Sequence, residues 1–105
     1  MRFVETPIFT RTVVELLEDE QYQSLQLALL SQPELGRVIR QSGGIRKMRW
    51  SLKGTGKRGG IRVIYFWDVA SETFYMLYAY RKSAQDDLTT QQLRVLTRLV
   101  REEFG

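Results

Sequence analysis

The run Ile61-Arg62-Val63-Ile64-Tyr65-Phe66-Trp67-Asp68 constrains the fold of this chain more than any other segment. Ile61, Val63, Tyr65 and Trp67 are all large and apolar, and so are Ile64 and Phe66 between them. A strand with one solvated face alternates apolar with polar residues. One that is apolar on both faces belongs in the middle of a sheet. Asp68-Val69-Ala70-Ser71 then turns the chain, and Thr73 to Tyr80 is a second β-branched and aromatic run, read as an antiparallel neighbour across that short connection. Upstream, a period of two begins at Gly44, with Arg46, Met48, Trp50 and Leu52 on one side and Ile45, Lys47 and Arg49 on the other. Together the three runs predict a meander whose first strand exposes a positive face.

Helical periodicity flanks these strands. Arg2 to Thr6 reads as a short strand, and Pro7 suits the first turn of a helix that carries Phe9, Val13, Leu16 and Leu17 inward. Asp19 is read as the N-cap of a second helix, in which Tyr22, Leu25, Leu29 and Leu30 follow helical spacing until Pro33 and Gly36 end it. These two helices make a hairpin. After a polar connection from Arg81 to Asp87, Thr89 and Gln92 form a capping box, and Leu93, Leu96, Leu99 and Val100 continue as a stripe towards Phe104. The order of strand, two helices, three strands and helix predicts a single α+β domain over residues 1–105. The expected architecture is an antiparallel twisted sheet with an N-terminal helical hairpin and a C-terminal helix, the helices packed on one face. At 105 residues and 43% hydrophobic, the chain has apolar mass for one core.

Charge is segregated along the chain. Between Leu35 and Trp67 lie nine basic residues and no acid: Arg37, Arg40, Arg46, Lys47, Arg49, Lys53, Lys57, Arg58 and Arg62. Of sixteen Lys and Arg against twelve Asp and Glu, seven basic and twelve acidic residues then remain elsewhere, a balance of −5. A +9 block of this kind concentrates polyanions, of which a nucleic acid backbone is the commonest.

The composition also excludes chemistries. With no cysteine there is no disulfide, thiolate nucleophile or cysteine-ligated zinc; with no histidine the commonest metal ligand and general base are missing. Neither a cofactor nor a metal is called for, so any catalysis falls to Lys, Arg, Tyr or carboxylates. No signal-like N-terminus and no run of eighteen apolar residues is present, so the expected compartment is the cytoplasm.

Three features are candidates for a site. Gly54-Thr55-Gly56-Lys57-Arg58-Gly59-Gly60 contains Gly-Lys but lacks the first glycine at the right spacing and the Ser or Thr after Lys of a P-loop, which removes nucleoside triphosphate binding. Its bland reading is a hairpin loop with solvated charges. Arg62 stands among large apolar residues on the central strand, where an unpaired guanidinium is costly, so it is either functional or ion-paired with Asp68 or Glu72. Tyr80 and Lys82, with Tyr78, emerge on one face at two-residue spacing, as a strand terminus or as a ring-and-cation pair suited to RNA. Trp50, in line with Met48 and Leu52, reads as core.

The segments Gly43-Gly44-Ile45-Arg46-Lys47-Met48-Arg49-Trp50, Gly54 to Phe66, Leu77-Tyr78-Ala79-Tyr80-Arg81-Lys82 and Asp86-Asp87-Leu88, taken in order, resemble the RelE-type toxins of bacterial type II toxin-antitoxin pairs, in particular the HigB-like branch. The resemblance spans nearly the whole chain. It implies a metal-independent endoribonuclease that enters the A site of the 30S ribosomal subunit and cuts mRNA by 2′-hydroxyl attack. It also implies a cognate antitoxin that neutralises the toxin, and a free toxin that is monomeric. Carried over by motif, Arg62 matches the arginine on the scissile phosphate, Lys57 a basic residue of the preceding loop, and Tyr80 and Lys82 the active-site end of the last strand. Arg46, Lys47, Arg49, Lys53 and Arg58 are then RNA-binding candidates; among the loop cations Lys53, Lys57 and Arg58, Lys57 ranks first. Two rivals stand beside this reading: a ParE-like toxin acting on DNA gyrase, and a non-enzymatic RNA-binding module.

Overall fold

The computed structural model describes residues 1–51 and 60–104. Its elements are β1 (Arg2–Glu5), α1 (Pro7–Leu16), α2 (Asp19–Ser31), β2 (Arg37–Val38), β3 (Arg46–Trp50), β4 (Ile61–Asp68), β5 (Thr73–Arg81) and α3 (Thr90–Phe104). Thr6 starts α1 by accepting the Phe9 N–H at 3.1 Å while its hydroxyl donates to the Leu77 carbonyl at 2.9 Å, and Pro7 occupies the first turn as read from the sequence. The N-cap of α2 is Glu18, one residue before the expected Asp19: the Gln21 side chain accepts from the Glu18 N–H at 2.9 Å, which leaves Asp19 and Glu20 in the first turn, where the helix dipole favours acids. At α3 the reciprocal Thr89 and Gln92 capping bonds form at 3.0 Å each, as expected.

Five strands lie in the order β1-β5-β4-β3-β2, with β4 in the centre as its two apolar faces require. The meander β3-β4-β5 is antiparallel, and so is β2 on β3. The sheet as a whole is mixed, however, because β1 runs parallel to β5, Arg2 opposite Thr73 and Glu5 opposite Met76. No tight turn links β1 to β5, so nothing in the connection imposes the antiparallel sense that a hairpin would. The two-residue β2 is too short to have shown a period.

The helices cover both faces of the sheet, not one. Phe9, Val13, Leu17, Leu25 and Leu29 of the α1–α2 hairpin pack on Met48, Ile61, Val63, Tyr65, Phe74, Met76 and Ala79. On the other side Leu96 and Val100 of α3 pack on Ile45, Ile64, Leu77 and Tyr80. The physical reason is the double apolar face of β4 and β5; one-sided cover would leave Ile64 and Leu77 in water. Trp50 packs against the hairpin-side core, as its neighbours indicate.

A bulge decides which side chains reach which face. Ile64 pairs with Tyr78, but Tyr65 pairs with Met76, so Leu77 is an extra residue in β5. Phe74 and Met76 therefore point to the hairpin side, whereas Tyr78 and Tyr80 point to the α3 side. Without that inserted residue, strict alternation would send Tyr80 the same way as Phe74. At the other edge, the Tyr65 hydroxyl donates to the Pro33 carbonyl and accepts the Gly36 N–H, both at 2.8 Å, which sets the start of β2. A Cβ on Gly36 would lie 2.8 Å from Tyr65 Cε1, so only glycine permits this approach.

Candidate active site

Three strands bring one row of side chains together. Arg49 of β3 stands opposite Arg62 of β4, and Arg62 stands opposite Tyr80 of β5; in the next row Lys47 faces Ile64, which faces Tyr78. Beyond Lys47, at the sheet edge, is Arg37 of β2. Two cross-strand pairs, Arg37 with Lys47 and Arg49 with Arg62, thus juxtapose like charges, an arrangement that lowers sheet stability unless an anion lies over it.

Arg62 is the focus. It is only 8% exposed, and its Nη1 donates to its neighbouring Ile61 carbonyl at 3.3 Å. Neither acid considered from sequence pairs with it: Asp68 is at the opposite end of β4, where it accepts the Ser71 hydroxyl, and Glu72 lies in the turn beyond. Among the described residues no carboxylate forms an ion pair with Arg62, and residues 52–59 contain no Asp or Glu.

Tyr80 is 5% exposed, with its ring against Tyr78 at a centroid distance of 5.9 Å. Its hydroxyl points to Asp87 Oδ1 at 3.4 Å, and the same oxygen accepts Lys47 Nζ at 3.0 Å and the Leu88 N–H at 2.8 Å. Burial and the Asp87 charge push the Tyr80 hydroxyl up to about 12, against the opposing pull of Arg62. At neutral pH it is a phenol, a proton donor and not a base. Burial would raise Asp87, but hydrogen bonds from Lys47 and Leu88, with the charge of Lys47, outweigh it and hold the carboxyl below its ordinary value. Lys82 is anchored at the mouth of the site: its N–H bonds the Gly60 carbonyl at 3.2 Å, and its ammonium donates to Asp86 Oδ1 at 2.8 Å, which lowers the Asp86 carboxyl. Tyr78 accepts from Gln92 of α3 at 3.3 Å, so both tyrosine tips meet protein groups.

The structure therefore assembles Lys47, Arg49, Arg62, Tyr80 and Lys82 at one end of the α3 side of the sheet. Arg46 is not among them. It lies on the hairpin side, where Nη1 donates to the Gly36 carbonyl at 2.7 Å and Nη2 is 3.9 Å from Glu34. Lys53, Lys57 and Arg58 lie outside the described residues. Two residues that are not site candidates in the sequence reading join the site, Arg37 through its register with Lys47 and Asp87 through Lys47 and Tyr80. The signal for Asp87 was its place in Asp86-Asp87, directly between the basic strand end and the α3 capping box. Chemically, a buried guanidinium, flanking cations and a neutral phenol suit binding and protonation of a phosphodiester.

Over residues 8–104 the chain matches the RelE toxin of the RelE/RelB toxin-antitoxin system. Its fold is similar to a solved structure of the E. coli toxin RelE, a double arginine-to-alanine mutant in the free state, with a TM-score of 0.57 and 15% identity over 80% of this chain and 85% of that one. At such identity the structural likeness concerns the fold, while the family match covers nearly the entire sequence. The chain thus belongs to the RelE toxin family and is the toxin member of a toxin-antitoxin pair.

Proposed function

We propose that this protein is an endoribonuclease that cleaves mRNA in the ribosomal A site, and that Arg62 and Tyr80 are its central catalytic residues. The observation that carries the reading is the Arg49, Arg62 and Tyr80 row, in which the middle guanidinium is buried without a carboxylate partner among the described residues. In the reaction the message's own 2′-oxygen attacks the adjacent phosphorus, its proton passing to a base, and the bond from phosphorus to the 5′-oxygen breaks as that oxygen takes up a proton. The products are a 2′,3′-cyclic phosphate and a 5′-hydroxyl. Arg62 stabilises the charge that grows on the phosphoryl oxygens, and Tyr80, a phenol at working pH, donates to the phosphoryl or leaving oxygen. Lys82 and Lys57 are the remaining catalytic candidates, and Arg37, Lys47 and Arg49 hold the RNA backbone; Lys53 and Arg58 keep their RNA-binding roles as part of the proposal. Positioning the internal nucleophile supplies much of the acceleration, which is compatible with a site without histidine.

The reading includes the HigB-like branch, a cytoplasmic location, a monomeric free toxin and an antitoxin whose acidic stretch complements the cationic row. Among the described residues no helix is long and apolar enough to cross a membrane. Primer extension on a defined message in a purified translation system, with and without ribosomes, tests the proposal. Cuts that appear only with ribosomes support it. An intact message with inhibited DNA gyrase supports the ParE-like rival, and RNA binding without cuts supports the non-enzymatic module.

A further inference from the structure

A second cationic surface lies apart from the site. On α3, Arg94, Arg98 and Arg101 stand at i, i+4 and i+7, so they share one side of the helix over a rise of about 10 Å. Arg40, in the connection between β2 and β3, faces them across a groove of about 480 Å³ also lined by Gln41 and Thr97. All four arginines are exposed. Among the described residues none forms an ion pair, although Glu102 lines the same groove. The groove shares no lining residue with the Arg62 and Tyr80 site.

Local stability does not account for this pattern. Arg94 with Arg98 and Arg98 with Arg101 are like-charge neighbours on the helix, each pair costing a few tenths of a kcal/mol. Only Arg101, in the last turn, gains from the helix dipole. The backbone around Arg40 is held in place: the buried Ser42 hydroxyl donates to the Ile39 carbonyl at 2.6 Å and accepts the Ile45 N–H at 3.0 Å, and the Ile39 N–H donates to the Ile45 carbonyl at 2.7 Å. The backbone that carries Arg40 and the helix that carries the other three are thus fixed relative to one another, while the guanidinium groups stand exposed along the groove.

We propose that this groove binds the phosphate backbone of double-stranded, A-form RNA, as a docking surface separate from the catalytic row; the inference rests on the reading of the protein as one that engages the ribosome. The lining argues for a duplex over a single strand. Proteins that hold single-stranded RNA stack its bases on aromatic rings, and no aromatic residue lines this groove. Arg, Thr and Gln side chains supply what a duplex presents, donors for phosphate and partners for the 2′-hydroxyls of a wide, shallow minor groove.

The test uses fluorescence anisotropy of the whole protein with a labelled RNA hairpin and with an unstructured RNA of equal length, over a range of salt. The variants are the triple Arg94→Gln, Arg98→Gln, Arg101→Gln and the single Arg40→Gln on a different element, with circular dichroism to establish folding. Loss of three phosphate contacts should weaken hairpin binding by on the order of tenfold or more and reduce the slope of log affinity on log salt by about 2 to 3. The triple Arg→Lys variant should keep most of that slope. Arg40→Gln should weaken the hairpin in the same direction, and decides the matter if the triple variant fails to fold. Unchanged hairpin affinity, or equal loss for both RNAs, overturns the proposal. So does loss of binding to a polyglutamate peptide with hairpin binding intact, which would assign the face to an acidic protein segment. Because binding is read without ribosomes, wild-type protein that binds the hairpin through these arginines yet leaves message intact would sink only the cleavage reading.

Discussion

Replacing Arg62 by Met separates function from stability by the sign of the change. Burying an unpaired guanidinium costs several kcal/mol even after relaxation. Arg62 is 8% exposed, has no carboxylate partner among the described residues, and stands opposite Arg49. A Met side chain of similar length removes the charge, the desolvation and the cross-strand repulsion. It forfeits the long 3.3 Å bond to the Ile61 carbonyl, worth about 1 kcal/mol. The net gain in stability should be about 1–2 kcal/mol, or a rise in Tm of about 4–10 °C for a domain of this size. Cleavage should fall by on the order of a hundredfold or more, since the lost donor acts on charge that peaks in the transition state. Thermal unfolding by circular dichroism and primer extension on ribosomes read the two effects from one preparation. A lower Tm with lost cleavage would make Arg62 a structural residue, and a normal rate would remove it from catalysis.

Tyr80→Phe should lose cleavage by on the order of a hundredfold with little change in fold, because the buried ring leaves the hydroxyl as the part that acts; normal cleavage in Phe would return the role to the ring. Arg37→Glu and Arg49→Glu should raise the toxin concentration for half-maximal cleavage and spare the rate at saturation, as expected of uniform backbone binding; a lost saturated rate with unchanged binding would contradict the division from Arg62. Asp87, held below its ordinary value in the folded state, contributes stability present above about pH 4 and lost as pH falls through its folded value. Asp87→Asn should therefore flatten the acid limb of a Tm-against-pH curve, and an unchanged limb would refute the linkage. Gly36→Ala should lower stability by about 1–3 kcal/mol in chemical unfolding, because its Cβ meets Tyr65 and Arg46 at 2.8 and 3.1 Å; a neutral result would show that segment free to shift.

How far the fold was legible follows from which residues carried contrast. The central place of β4 was readable from its two apolar faces, and the α3 cap from Thr89 and Gln92. Those same two faces require helices on both sides, but the apolar stripe of a helix does not say which face of the sheet it meets, so the expectation of one-sided cover fails. The N-cap of α2 was displaced by one residue since Glu18, Asp19 and Glu20 are chemically alike and only the Gln21 bond distinguishes them. The bulge at Leu77 had no signature: Tyr75, Met76, Leu77 and Tyr78 are all large and mostly apolar, so sliding the register leaves the pattern unchanged. Arg62 was legible as an anomaly on a core strand, and Tyr80 by its spacing from Lys82. Asp87 required the tertiary contact with Lys47, forty residues away.

Folding distributes the charge of the chain differently from its order in the sequence. The +9 block does not fold into one face: Arg46 lies on the hairpin side, Arg40 joins the α3 groove, and Arg37 with Lys47 and Arg49 with Arg62 form two adjacent rows over the sheet. Conversely, Arg94, Arg98 and Arg101 belong to the remainder counted as acidic, yet they complete a cationic groove. Five of the acids, Glu5, Glu15, Glu18, Asp19 and Glu20, sit before or within the first two helices. The molecule measures 40 × 30 × 23 Å, whereas exposed charges are screened beyond about 8 Å at physiological salt. Acids on the hairpin side therefore cannot neutralise the row or the groove across the sheet. What an RNA meets is set by the charges within one screening length of it, and on the α3 side of this sheet those are predominantly arginine and lysine.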